Sequence, residues 1–141
     1  MNVEPKREKK PLRILLDSNA LLVPFQLKID IFEELKALLK MNFEAVLLSP
    51  VHAELEELAK TSSPKTRRDF TLALELAKKC RLVKIHSEET ESTDDIIIKI
   101  ASKWKAPVFT NDKHLKKRLR DINVPVIYVR QKSKLEIDGR I

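Results

Sequence analysis

Short apolar runs alternate with amphipathic stretches along nearly the whole chain. Leu12-Arg13-Ile14-Leu15-Leu16 stops at Asp17-Ser18-Asn19, and Ala45-Val46-Leu47-Leu48 stops at Ser49-Pro50. Leu82-Val83-Lys84-Ile85 is more mixed, Pro107-Val108-Phe109 stops at Thr110-Asn111-Asp112, and Val124-Pro125-Val126-Ile127-Tyr128-Val129 is the fifth run. Runs this short cannot fill a helix, and most do not alternate. They suit strands buried on both faces, as in a parallel sheet.

The stretches between them carry helical spacing. Asp30 caps a helix over Ile31–Lys40, with Glu33 completing a capping box and Ile31, Leu35, Leu38 and Leu39 on one face. Ser49-Pro50 and Ser63-Pro64 each read as an N-cap followed by proline in the first turn. Ser92 or Thr93 caps a helix over Asp94–Lys105, and Asn111 or Asp112 starts one that reaches Arg120. The order is β-α-α-β-α-α-β-α-β-α-β, with a short extra helix near Ala20–Phe25. That alternation predicts an α/β fold, a three-layer α/β/α sandwich around a mostly parallel five-stranded sheet. The domain is expected over residues 12–130. A flexible basic lead (1–11) precedes it, and a basic tail (131–141) follows as an edge strand or an arm.

Composition narrows the chemistry. Among 141 residues there is one glycine, Gly139, so a GxxxxGK[ST] loop, a GxGxxG turn and a GXXG clamp are all excluded. Phosphate must then be met by side chains, helix N-termini or metal ions. A single cysteine, Cys80, excludes an internal disulfide and any multi-cysteine zinc site, and it reads as a small core hydrophobe. No run is long enough to span a bilayer, and no apolar leader opens the chain, so a cytoplasmic location without membrane contact is expected. The net charge of +7 favours polyanionic partners, while seven aromatic residues are too few for a base-stacking sheet. The Lys- and Glu-rich charge also resembles a thermophile's composition.

Ligands of open parallel sheets bind beyond the carboxyl ends of the strands. Asp17 follows the first predicted strand, Glu54 lies within two turns of the second, Asp94-Asp95 follow the third, and Asp112 follows the fourth. Taken singly, each acid reads as a turn, cap or surface residue. Together they crowd one edge, where like charges repel and shift one another's pKa. A divalent cation relieves that crowding, and Mg²⁺ and Mn²⁺ prefer oxygen ligands. Two such ions about 3.5–4 Å apart stabilise the attacking and leaving oxygens in phosphodiester cleavage. Ser18, Asn19, Thr110 and Asn111 stand beside the acids and can orient carboxylates or waters. Lys113, Lys116, Lys117, Arg118 and Arg120 crowd the helix that begins at Asp112, with Lys116 and Arg120 on one face. With Arg130 they are candidates for an RNA backbone. His52, His86 and His114 show no ligand spacing.

Leu15-Leu16-Asp17-Ser18-Asn19-Ala20-Leu21-Leu22 resembles the opening motif of PIN domains. Asp94-Asp95-Ile96-Ile97-Ile98-Lys99-Ile100-Ala101 and Val108-Phe109-Thr110-Asn111-Asp112-Lys113-His114-Leu115 resemble its later acidic motifs. The segment Val124–Leu135 is similar to the archaeal branch related to rRNA-processing PIN nucleases. The resemblance implies a metal-dependent ribonuclease using one or two Mg²⁺ or Mn²⁺ ions, with Asp17, Glu54, Asp94 and Asp112 as the catalytic and metal-holding set. It prefers Asp94 to Asp95 by its seven-residue distance from Ala101, and Asp95 is then expected to point elsewhere. One departure is His114, where many PIN domains add another acid. The substrate implied is RNA, single-stranded, in rRNA or other RNA processing. The alternatives are a VapC-type toxin with an antitoxin partner and a non-catalytic scaffold on RNA or a ribosomal particle. A homodimer is implied by resemblance alone. An HAD phosphatase would need Asp-x-Asp after the first strand, where Asn19 stands in the second position.

Overall fold

The computed structural model describes residues 10–141. In chain order the elements are β1 (Leu12–Leu16), α1 (Ser18–Leu27), α2 (Ile31–Leu39), β2 (Phe43–Leu48), α3 (Ser49–Thr61), α4 (Pro64–Ala77), β3 (Arg81–Val83), α5 (Thr93–Trp104), β4 (Val108–Phe109), α6 (Lys113–Asp121), β5 (Val126–Arg130) and β6 (Lys134–Asp138). They form one sheet in the order β3-β2-β1-β4-β5-β6. All neighbours are parallel except β5 and β6, which form an antiparallel hairpin.

The three-layer α/β/α architecture is as expected, but the sheet has six strands, not five. The extra strand comes from the tail, which pairs along β5 from Arg130↔Lys134 to Val126↔Asp138. Leu135 and Ile137 alternate with charged residues there, as befits an edge strand with one buried side. Most of the basic lead expected over 1–11 lies outside the described residues.

Three consecutive residues of β1, Ile14, Leu15 and Leu16, are all buried. Successive strand side chains point to opposite faces, so both faces of the sheet are covered by helices. Leu21, Leu35, Leu55, Ile97, Leu115 and Leu119 supply the helical side of that core. Among the described residues no helix is long and apolar enough to cross a membrane.

Capping follows the sequence closely, with two differences. Asp30 caps α2 by accepting from the Glu33 N–H, but the Glu33 carboxylate pairs with Lys36, so only half of the capping box forms. Ser49 does not cap α3; its hydroxyl accepts from the Ile85 N–H at 2.9 Å and ties α3 to the chain beyond β3. Three helices end on a lysine in left-handed conformation, Lys28, Lys40 and Lys105, where glycine is the usual choice. With its single glycine in the tail, the chain places that conformation on lysine instead.

β1 lies between β2 and β4, so the connection from β1 departs to one side and the later half of the chain builds on the other. The cleft beyond the carboxyl ends of β1 and β4 is therefore the topological switch point of the sheet.

Candidate active site

At that switch point Leu16 pairs with Phe109, so Asp17 and Thr110 leave the sheet side by side. The Asp17 N–H is still held by the Phe109 carbonyl at 3.1 Å. Asp17 is the N-cap of α1 and only 5% exposed. Its Oδ1 accepts from the Ser18 N–H at 2.6 Å, and its Oδ2 accepts from the Thr110 hydroxyl at 2.8 Å and the Asn19 amide at 2.9 Å. Burial nevertheless raises its pKa, more strongly than these donors lower it, and repulsion from Asp94 and Glu54 adds to the rise.

The other expected acids approach from separate elements. Glu54, on α3, accepts from the Ser18 hydroxyl at 3.0 Å through Oε1. Asp94 sits in the first turn of α5, and its pKa is raised by burial and by repulsion from Asp112 and Glu54. Asp112 is the N-cap of α6, where Oδ1 accepts from the backbone N–H groups of His114 and Leu115 at 2.8 and 3.0 Å. The four carboxylates thus share one electrostatic neighbourhood at the sheet edge. Asp95 points away from it, to Arg118 of α6 at 2.8 Å.

The hydroxyl and amide neighbours bind these parts together. Thr110 donates to Asp17 and accepts the Asp112 N–H at 3.1 Å, so one hydroxyl spans two acids. Asn19 donates to Asp17 while its Oδ1 accepts the Asn111 N–H at 2.9 Å. Asn111 turns its side chain to the sheet, accepting the Val129 N–H at 2.8 Å, and so fixes the loop that carries Asp112. No buried side-chain nitrogen or oxygen among the described residues lacks a partner.

Among the described residues no three Asp, Glu, His or Cys side chains stand together as a ready-made metal cage. The hydrogen bonds explain this: Asp17, Glu54 and Asp112 are each drawn to local donors, and like charges hold the carboxylates apart. The donor set itself is all oxygen, and its uncompensated repulsion suits a hard divalent cation. Mg²⁺ characteristically takes only one or two carboxylates and completes its shell with water and phosphate. A cavity of about 610 Å³ lined by Arg13, Trp104 and Lys105 opens among residues at the opposite, amino-terminal end of β1. Its one carboxylate, Glu44, is paired with Arg81, so it lacks this chemistry.

The candidate RNA-binding cations are distributed differently from their order in the sequence. Lys116 and Arg120 share a face, as their spacing requires, and that face is turned to the β5–β6 hairpin. Lys116 lies 3.5 Å from the Tyr128 ring centre and 3.6 Å from Asp138, and Arg120 pairs with Asp138 at 3.1 Å. Lys117 pairs with Asp121, Arg130 with Glu136, and Lys113 is exposed. The residues of α6 that act on Asp94 are His114 and Arg118. Their i, i+4 spacing was the available signal, obscured by a helix with cations at nearly every turn.

A model of the PIN-like domain family matches residues 14–132. The chain belongs to the PIN-like domain family. The ribonuclease VapC4 of Methanocaldococcus jannaschii is a PIN-like relative 36% identical over 92% of this chain and 98% of its own. The rRNA-processing protein fcf1 of Schizosaccharomyces pombe is 31% identical over 84% of this chain and 59% of its own. Among solved structures, the PIN domain endonuclease Utp24 superimposes with a TM-score of 0.76 at 29% identity, over 93% of this chain and 94% of that one.

Proposed function

We propose that this chain is a divalent-cation-dependent ribonuclease that hydrolyses phosphodiester bonds of single-stranded RNA in rRNA or other RNA processing. The observation that carries the reading is the gathering of Asp17, Glu54, Asp94 and Asp112 from four separate elements at the sheet's switch point. The likeness to the ribonuclease VapC4 and the rRNA-processing protein fcf1 supports it. On this reading the four carboxylates would hold one or two Mg²⁺ or Mn²⁺ ions. When bound, such an ion lowers the pKa of water and neutralises charge developing on the phosphate.

The chain's own residues do the rest. Thr110, Ser18 and Asn19 donate to carboxylate oxygens and so fix which lone pairs face the cleft. Glu54 and Asp112 each engage one carboxylate oxygen, Glu54 Oε1 with the Ser18 hydroxyl and Asp112 Oδ1 with two helix N–H groups, so the second oxygen of either can accept a proton. Water oxygen attacks phosphorus, its proton passes to Glu54 Oε2 or Asp112 Oδ2, the P–O bond breaks, and the leaving oxygen takes up a proton from solvent.

The test is incubation of purified protein with single-stranded RNA in Mg²⁺ or Mn²⁺. Cleavage that EDTA abolishes is expected; intact RNA with either cation would refute the reading. A second reading, a VapC-type toxin, is favoured by the VapC4 relative. It requires an antitoxin encoded beside this chain, whose co-purification would suppress cleavage. The homodimer implied by the resemblance is checked by sedimentation of the purified protein.

A further inference from the structure

The cations that sequence order nominates for RNA contact are largely engaged elsewhere, which leaves open what meets the phosphate beside the acidic edge. Resting on the ribonuclease reading above, we propose that Arg118, held in place by Asp95, is the substrate-binding residue that grips an RNA phosphate next to the carboxylate cluster. Asp95 is its positioning residue.

Three observations converge. First, Arg118 reaches from α6 across to α5, where its Nη2 donates to Asp95 Oδ1 at 2.8 Å. Asp95 is the immediate neighbour of Asp94, so the guanidinium is fixed at the rim of the acidic cluster, and its charge is felt by Asp94. Second, the Arg118 side chain remains 39% exposed. A guanidinium carries five N–H donors in a rigid fork, and Asp95 accepts from one nitrogen only, so donors remain for a second anion. Planar bidentate capture of phosphate is what that fork does best. Third, three of the other four α6 lysines and arginines face different partners: Lys116 and Arg120 hold the β5–β6 hairpin, and Lys117 holds Asp121, while Lys113 is exposed at the start of the helix. His114, one turn before Arg118, shares its face.

The division of labour is chemically sensible. An arginine loose beside four carboxylates would collapse onto them and compete with a cation. Asp95 counters that by accepting from one guanidinium nitrogen, which leaves the remaining donors of the partly exposed Arg118 for a second anion. This also gives the adjacent pair Asp94-Asp95 two distinct tasks on one helical turn.

The test measures binding of a fluorescent single-stranded RNA oligonucleotide in Mg²⁺, in an Asp17→Asn background so that the RNA stays intact. Arg118→Gln is expected to weaken binding about tenfold and to lower the slope of log K against log salt by about 0.7, the loss of one phosphate contact on a single strand. Arg118→Lys should restore the slope but only part of the affinity, because the charge returns without the fork. Lys103→Gln, exposed near the far end of α5, should stay within about twofold. In the chain with Asp17 intact, Asp95→Asn should raise KM with little change in kcat, and this effect should vanish in the Arg118→Gln background. Unchanged affinity and slope in Arg118→Gln, or an equal loss in Lys103→Gln, would overturn the assignment. Cleavage by the chain with Asp17 intact is scored separately, so a failed ribonuclease reading and a failed Arg118 assignment give different results.

Discussion

Asp17 shows how a single buried carboxylate can cap a helix and still keep a perturbed pKa. It caps α1, takes three donors from neighbouring residues, and still has a raised pKa because burial outweighs them. Thr110 is the residue that couples it to Asp112, so Thr110→Val should lower RNA cleavage about 10- to 100-fold, the usual penalty for losing a ligand-orienting hydrogen bond. Thr110→Ser should retain most activity; initial rates on one RNA substrate compare the three. Asp94 makes a thermodynamic prediction. Its folded-state pKa is raised, so the folded protein keeps this proton to higher pH than the unfolded chain does. Stability therefore falls as pH rises from the ordinary carboxylate value, about 3.9, to the raised native one, and the loss persists above it. Asp94→Asn removes that penalty. Its melting midpoint should exceed the wild type's at pH 7, with the difference closing below about pH 4. A less stable variant at pH 7 would contradict the repulsion described here. At this scale the sequence places the four acids at one sheet edge but does not give their partners. Lys116 and Arg120 are legible as neighbours on a helix, yet nothing in their spacing says that Tyr128 and Asp138 receive them.

At the scale of elements, strands and helices were legible wherever local signals agreed. Apolar runs marked β1, β2, β4 and β5, and Asp30, Ser92 and Asp112 marked their helices by side-chain caps. The tail reads in sequence as an edge strand or an arm because the signals for β6 conflict. Lys134–Asp138 contains only two apolar residues, and the turn before it uses Gln131 and Lys132 at positive φ where Asn or Gly would announce a hairpin. What secures β6 is tertiary: Asp138 receives Lys116 and Arg120, and Gly139 passes under Arg120 at φ +103°. A Cβ there would collide with the Arg120 guanidinium and meet the Pro125 Cα at 3.1 Å. Gly139→Ala should cost about 1–3 kcal/mol in urea unfolding through strain at that backbone angle. A variant as stable as wild type would mean that the hairpin is not locked this way.

The whole molecule joins a basic chain to an acidic working edge. Net charge of +7 draws a polyanion from a distance, while the cleft that must handle its phosphates is lined by carboxylates. The fold reconciles the two by topology: strand exits β1 and β4 meet at the switch point, the N-terminal turns of α3, α5 and α6 reach it, and Lys116, Lys117, Arg120 and Arg130 pair elsewhere. The single glycine is consistent with this plan, since Asp-Ser-Asn and Thr-Asn-Asp turns present carboxylates where a nucleotide-binding fold would present backbone amides. That plan is legible because Asp17, Glu54 and Asp112 follow strands whose apolar runs are easy to see, whereas Asp94 follows the mixed run of the short, largely exposed β3. The precise arrangement is not, because it depends on which carboxylates are captured by Ser18, Thr110 and the α6 N-terminus. The central claim, that these four acids make one cation-dependent RNA-cleaving site, is tested most directly by the cleavage rate of Asp17→Asn against wild type in saturating Mn²⁺. A loss of about 100-fold or more in a variant that remains folded is the result expected for a residue of a catalytic unit. Equal rates in the two proteins would contradict it.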